Sequence, residues 1–321
     1  MPGCLDFLMR FRWLPKGSGY GSSKDILEKA LKTRSIHKHR LFLLPLLLAT
    51  LLTSSCGQII ANAKKEFADD LSASILESND PETIKKGVPA YLILVSSMVR
   101  GDPDNPELLE SAAELYGAYA SGFADSDDSR MALANRSFEY ASRSMCIRRA
   151  DFCDIDKRSY FELEQLLASV DKDEAPQLFV FASSWAGRIQ ANSADWNAIA
   201  ELPKAKAAIA RVLELDETVK HGNAHLYMGV MEPLLPPSMG GKPEVAKAHF
   251  ERSIELSGGE NQMARVLYAE KYARLLFDRE LHDDLLRQVI DAPAGPEDQR
   301  LVNSLAKQKA AILLEQGDDY F

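Results

Sequence analysis

Small and large residues return along this chain at fixed offsets, and that pattern restricts its fold more than any other feature. Tyr116-Gly117 is followed, 17, 21 and 24 residues after the glycine, by Ala134, Phe138 and Ala141. Met228-Gly229 is followed at the same offsets by Ala246, Phe250 and Ser253, 112 residues further on. Steps of four and three residues place a small, a large and a small side chain on one face of a helix, and a glycine on the preceding helix lets the pair approach until the large side chain fills the gap. A third set lies between them, with Ala186-Gly187 followed by Ala205, Ile209 and Val212, one residue longer, and closing at Leu215-Asp216. A fourth runs from Tyr268-Ala269 and Tyr272 through Leu281 and Leu285 to Pro293. An ordinary helical bundle could show one such match by accident, but four in phase point to stacked helix pairs. Either reading is all-α.

Other signals agree. From Gln58 onward no stretch sustains the two-residue alternation of a strand. Asn79-Asp80-Pro81-Glu82 and Asp104-Asn105-Pro106-Glu107 each put a cap residue before a proline, which marks a helix start. The nearly continuous apolar run from Ala90 to Val99 predicts a helix buried on most sides or lining an apolar cavity. A last helix, about Glu297 to Glu315, is apolar at Leu301, Leu305, Ile312 and Leu313 and is expected to cap the stack. The offsets are those of tetratricopeptide units. The expected fold is therefore an all-α, tetratricopeptide-like array of helical hairpins (an α-solenoid) over residues 79–321, with extra N-terminal helices and a C-terminal capping helix.

The N-terminal part reads as an address. His37-Lys38-His39-Arg40 is basic, and Leu41 to Leu52 is a twelve-residue run that is apolar apart from Pro45, Ala49 and Thr50. A membrane span needs about 20 such residues, whereas the apolar core of a cleaved signal needs roughly this many. Leu52-Thr53-Ser54-Ser55-Cys56 resembles a relaxed lipobox, which makes Cys56 the expected lipidation site and first mature residue. Two acyl chains there anchor more firmly than the single chain that binds only marginally. Residues 36–55 are then a lipoprotein signal, 56–78 a tether or helix, and 1–35 an unusually long extension that a misassigned start codon would explain. A retained N-terminal helix holding Cys56 is the alternative.

Charge limits the partners. The formal charge is −9, but residues 1–55 hold nine basic and three acidic residues, leaving 29 basic against 44 acidic in the remainder, a balance of −15. Such a surface repels a phosphate backbone, so nucleic acid is not an expected partner. Four cysteines occur, at 4, 56, 146 and 153. On one helix Cys146 and Cys153 would be separated by about 10 Å of rise, beyond disulfide reach. Arg148-Arg149-Ala150-Asp151 offers a helix end between them, so a Cys146–Cys153 bridge and two unpaired thiols both stand.

Little in the chain carries reaction chemistry, and no enzyme activity, cofactor or metal is expected. His221 and His225 have metal-ligand spacing but no third ligand and no accompanying glutamate of the zinc-protease pattern. His282-Asp283-Asp284 reads as a capping or interface cluster. Gly240-Gly241-Lys242 before a helix lacks the upstream glycine and the following Ser/Thr of a phosphate-binding loop. That loop reads as a rigid connector, or as part of a partner or cavity rim, since prolines bind at low entropic cost. Tyr91, Tyr116, Tyr119, Phe123, Phe179, Phe181 and Trp185 fall on first-helix faces, as core or as the lining of an apolar channel.

The segment Leu234-Leu235-Pro236-Pro237-Ser238-Met239-Gly240-Gly241-Lys242-Pro243-Glu244, followed by Ala246-Lys247-Ala248-His249-Phe250, resembles the T component of TPR-associated tripartite ATP-independent periplasmic (TRAP) transporters. Further likeness lies in Pro89-Ala90-Tyr91-Leu92, Ala113-Glu114-Leu115-Tyr116, Val266-Leu267-Tyr268-Ala269, Tyr272-Ala273-Arg274 and Arg279-Glu280-Leu281-His282-Asp283, and covers roughly residues 80 to 316. The resemblance implies a periplasmic, membrane-anchored lipoprotein that forms a homotrimer, binds the solute-binding P component and passes a hydrophobic ligand through an apolar pore. Tyr91, Tyr116, Tyr119, Leu235, Pro236, Pro237, Gly240, Gly241, Lys242 and His282 are the partner or cavity-rim candidates. Gly57 after the lipid site does not resemble an inner-membrane retention aspartate, which favours the outer membrane. The alternative is a tetratricopeptide lipoprotein that scaffolds outer-membrane or envelope assembly. The chain departs from the family in its N-terminal extension and in five- to six-residue insertions relative to standard repeats.

Overall fold

Proline opens the first two helices where the sequence places it. Asp80 caps α1 (Pro81–Gly101) by accepting the N–H groups of Glu82 and Thr83, each at 3.1 Å, and Asn105 caps α2 (Pro106–Gly122) by accepting that of Leu108 at 3.0 Å. Each cap satisfies helix-end donors that would otherwise lack a partner, a contribution of about 1 kcal/mol. This computed structural model describes residues 70, 71 and 73–321; the signal segment, Cys56 and most of the tether lie outside those residues. No strand occurs among the described residues, and none of their helices is long and apolar enough to cross a membrane.

Hairpins follow in order. They are α2 with α3 (Asp127–Arg148), α5 (Ala175–Ala191) with α6 (Leu202–Asp216), α7 (Asn223–Met231) with α8 (Pro243–Leu256), and α9 (Gln262–Tyr268) with α10 (Arg279–Asp291). Between the first two lies α4 (Tyr160–Ala168), which packs on α6, and α9 continues as a π-helical turn over Ala269–Ala273. The last long helix, α11 (Arg300–Glu315), packs on α9 and α10, and a short α12 (Gly317–Tyr320) ends the fold. The first helices touch in sequence, α2 to α5, α5 to α7, and α7 to α9. From α9 the contacts pass to α11, from α11 to α1, and from α1 back to α2. The solenoid thus closes on itself, with an inner ring of six helices and the second helices of the hairpins outside it.

Three apolar clusters hold this arrangement. One surrounds Trp185, which is fully buried between Phe181 and Phe138 at ring distances of 5.4 and 5.6 Å. A second surrounds Phe250 and Leu286, and a third joins α1, α2 and α3 around Leu109 and Tyr140. The repeat logic holds at two of its three glycines. A Cβ built on Gly229 would lie 2.9 Å from the Phe250 ring, and one on Gly117 would lie 3.0 Å from the Ser137 hydroxyl. A Cβ on Gly187 would meet nothing within 4 Å, so in the hairpin α5–α6 the buried partner is the neighbouring Ala186, and the glycine faces open space.

Several expectations need correction. α1 buries Val88, Leu92, Val95 and Val99, but Ile93 is 72% exposed and Leu94 43%. Its apolar run therefore has a buried face and an uncovered one, so of the two expectations, burial on most sides or lining an apolar cavity, the first does not hold. Ile312 of α11 is exposed, and the face that packs is Leu301, Ala306, Ala310 and Leu313 together with Asn303. The helix-end alternative for the cysteines is the one realised. α3 stops at Arg148, the chain turns through short 3-10 segments at Ala150–Phe152 and Ile155–Lys157, and Cys146 and Cys153 form a disulfide with Cα atoms 4.5 Å apart. Lys220 and His221 take left-handed backbone angles (φ 48° and 58°), so His221 is not on the helix that carries His225.

Candidate functional site

Closing the ring brings the exposed faces of the inner helices toward a common interior. On α2 that face carries Glu114, Ala118 and Gly122, and a Cβ on Gly122 would lie 3.5 Å from the Leu305 side chain of α11. On α5 it carries Ser183 and Gly187, and Ser183 hydrogen-bonds the phenol of Tyr227 on α7. Burial first, and then the Glu114 carboxylate, push the Tyr227 phenol up from its ordinary range. Tyr227 also meets the edge of Phe179 at 5.8 Å. Side chains from α2, α5, α7 and α11 therefore converge, although up to 191 residues of sequence separate them (Glu114 to Leu305).

Most of this surface is small or apolar, and its charges are paired. Lys220 reaches Glu114 at 2.8 Å. The turn that carries Lys220 is three successive left-handed residues, Lys220, His221 and Gly222. A non-glycine residue in that region costs on the order of 1 kcal/mol. The strain is held by the Glu114 contact and by a 3.5 Å approach of His221 to Asp298. Where α9 meets α11, burial works against the charge of Glu270, but Lys309 at 2.7 Å and then Lys271 outweigh it and hold the carboxyl below its usual range. No group of three or more metal-ligating side chains occurs among the described residues. The interior offers shape, apolar area and two ion pairs.

The residues singled out from sequence divide into three groups. Tyr116, Tyr119 and Tyr91 gather at the α1–α2 seam. Tyr119 donates to the Lys85 carbonyl at 3.0 Å, and Tyr116 lies 2.6 Å from the Ser96 hydroxyl and donates to the Leu92 carbonyl at 3.3 Å. Tyr91 packs, part-buried, on the α1–α2–α3 cluster. The Tyr116 and Tyr119 phenols fasten α2 to α1. The proline-glycine segment forms a folded loop between α7 and α8. Met239 and Gly241 donate to the Pro236 carbonyl at 2.8 and 3.1 Å, Gly240 donates to Pro237, and Lys242 donates to Glu232 at 2.9 Å.

Both glycines of that loop are required. Gly240 sits at φ 95°, and a Cβ on Gly241 would lie 1.7 Å from the Leu235 carbonyl oxygen. Leu235 is half-buried, while Pro236, Pro237, Gly240 and Lys242 are exposed, so the loop presents a stiff outer surface. His282 forms the third group. It is 1% exposed, pairs with Asp283 at 2.9 Å and lies under the Phe321 ring, which places it in the interior of the C-terminal hairpin and not on a rim.

Sequence reading missed Glu114, Ser183, Gly187, Lys220, Tyr227 and Leu305. The available signal was modest: half-buried small residues at helical spacing, such as Ser183 and Gly187, on helices otherwise full of core residues. No curated protein matches this sequence. A protein-family match, to TAtT, the TRAP transporter T-component, spans residues 77–321, nearly all of the described fold and both the proline-glycine loop and the ring. With that extent of match on a closed ring of hairpins, the chain belongs to the family of TRAP transporter T components.

Proposed function

We propose that this T component is a periplasmic lipoprotein, tethered to a membrane through acylated Cys56, that binds the solute-binding P component of its system and lets a hydrophobic ligand pass through the ring of inner helices. The observation that carries the passage is Gly187, a glycine in the middle of an inner helix with nothing within 4 Å of its Cβ position. An interior helix face without a partner is open space, and Ser183, Ala118 and Leu305 on the inner helices are small or apolar. The Cys146–Cys153 disulfide supports an oxidising compartment, and the acidic surface suits a protein partner rather than a nucleic acid. The exposed proline-glycine loop is the docking element of this reading, because Pro236 and Pro237 are already rigid when a partner arrives. A homotrimer is part of the same proposal.

Two measurements test it. Pull-down with the solute-binding P component of the same transport system should give a complex at about micromolar concentration. A folded pair that does not associate removes the partner role. Loading of a fluorescent long-chain fatty acid tests the passage. Gly187→Phe should fold normally and abolish loading, whereas Ala248→Phe, at an exposed position of the outer helix α8, should leave it unchanged. Equal loading in both variants would place the ligand elsewhere.

A further inference from the structure

A second concavity lies between the start of α9 and the last two turns of α10. It is a cavity of about 580 Å³ whose walls include Gly259, Gln262, Arg265, Gln288, Asp291 and Pro293. Two opposite charges line it without meeting. Arg265 is half-buried and has no carboxylate partner; its guanidinium donates only to the Gly259 carbonyl at 2.8 Å and to the Gln262 amide oxygen at 3.1 Å. Burial alone pushes it down from its ordinary range, with no carboxylate acting against that shift. Asp291 is exposed at the C-terminal end of α10, with no ion pair of its own. At the mouth, Asp284 and Arg287 neutralise each other at 3.4 Å.

The site is built rather than incidental. Gly258 and Gly259 both take left-handed angles (φ 61° and 77°), which turns the Gly259 carbonyl onto Arg265 and fixes one guanidinium nitrogen. A Cβ on Gly259 would crowd the other nitrogen, Nη2, at 3.1 Å, so the glycine also leaves that donor clear. Across the cavity, α10 ends with Asp291, with no basic residue in its last turn, and Lys307 of α11 donates to the Ala292 carbonyl beyond it. The Asp291 carboxylate, which has no ion pair, is the acidic group of that wall and a partner for a cation.

We propose that this groove binds a small zwitterion of the amino-acid class, its carboxylate on Arg265 and its ammonium on Asp291. A simple anion would satisfy Arg265 but meet the acidic far wall, and a simple cation the reverse. Only a ligand with both charges satisfies both walls. Gln262 and Gln288 add amide groups beside the path between them. The inference is independent of the transport reading, because the groove is lined by none of the residues that reading names.

Calorimetric titration of the full chain with L-glutamine tests it, with three further probes: glutaramate, which lacks the ammonium, 4-aminobutanamide, which lacks the carboxylate, and inorganic phosphate. L-Glutamine should bind with a Kd below about 1 mM, and each single-charge analogue should bind at least about tenfold more weakly. Arg265→Gln and Asp291→Asn should each weaken L-glutamine by about tenfold or more, while Arg265→Lys keeps part of the affinity. Absence of heat with L-glutamine up to about 10 mM overturns the proposal, as does phosphate binding more tightly than L-glutamine. Unchanged affinity in a folded Asp291→Asn also overturns it. If Arg265→Gln does not fold, the probe series on the unaltered chain decides by itself.

Discussion

The hairpins α2–α3 and α7–α8 carry the same sequence offsets and close by different physics. In α7–α8 the glycine accommodates a large side chain: Phe250, fully buried, presses its ring against Gly229 and stacks on Tyr268 at 5.3 Å. In α2–α3 the glycine faces a hydroxyl. Ser137 donates to the Ala113 carbonyl at 2.7 Å and contacts Ser184 of α5 at 3.0 Å, so three helices share one polar seam. Phe138, the counterpart of Phe250, has turned toward Phe181 and Trp185 and serves the next hairpin instead. Identical spacing thus guarantees close approach of two helices but not what fills the contact.

Removing the contact should separate the two hairpins most. Phe250→Ala deletes a fully buried ring and should lower unfolding free energy by about 3–5 kcal/mol, whereas Ser137→Ala removes one hydrogen-bonding group and should cost only about 1 kcal/mol. Denaturant titration of both variants measures the gap, and equal losses would mean that the seams are equivalent. The next largest effect belongs to the α3 end. Cys146→Ser with Cys153→Ser opens a short loop and should cost about 2 kcal/mol, read as a lower Tm that added reductant no longer changes.

Adding a methyl group at each glycine gives a smaller contrast. Gly229→Ala pushes against a buried ring that has nowhere to go and should destabilise by about 1–2 kcal/mol after its gain in helix propensity. Gly117→Ala meets a serine hydroxyl that can rotate, and should stay within about 1 kcal/mol of the parent. Thermal unfolding of the pair distinguishes them, and a neutral Gly229→Ala would show that Phe250 is not locked.

The mildest separation is in pH. His225 and His249 face each other at 2.8 Å across α7–α8, and His225 also contacts Glu217, which Arg252 grips from α8. Burial first and then the His225 charge hold His249 below its ordinary value of 6.5, so the unfolded chain binds more protons and stability falls as pH drops through about 6.5. Glu217 is lowered from 4.5 to about 2, mainly by Arg252 and then by His225, so its contribution is full above about 4.5 and is lost toward about 2. Both act in the same direction. A Tm profile should show an acid decline whose upper step, near pH 6.5, disappears in His249→Asn. Persistence of that step in the variant would assign it to another group.

Much of the fold was legible in the chain. Pro81 and Pro106 after their cap residues fixed two helix starts, because proline's locked φ and missing N–H suit only that position. The phase of Ala205, Ile209 and Val212 located a buried face at which all three are fully buried. The site was far less legible. Tyr116 and Tyr119 were noticed as aromatics, but their role is set by where their hydroxyl groups end, on the backbone and side chains of α1. His282 looked polar enough for a rim and is buried beneath the C-terminal residue.

Local pattern by itself determined that this protein is all-helical, where its hairpins begin and how closely their helices pair, because helix periodicity and capping act over three or four residues. Tertiary structure alone decided that the stack closes from α11 onto α1. It also decided that Lys220 meets Glu114 across the interior, that Gly187 faces open space, and that Arg265 and Asp291 share a groove without pairing. Each of these depends on small rotations between successive hairpins that accumulate around the array, and residue spacing does not encode that sum.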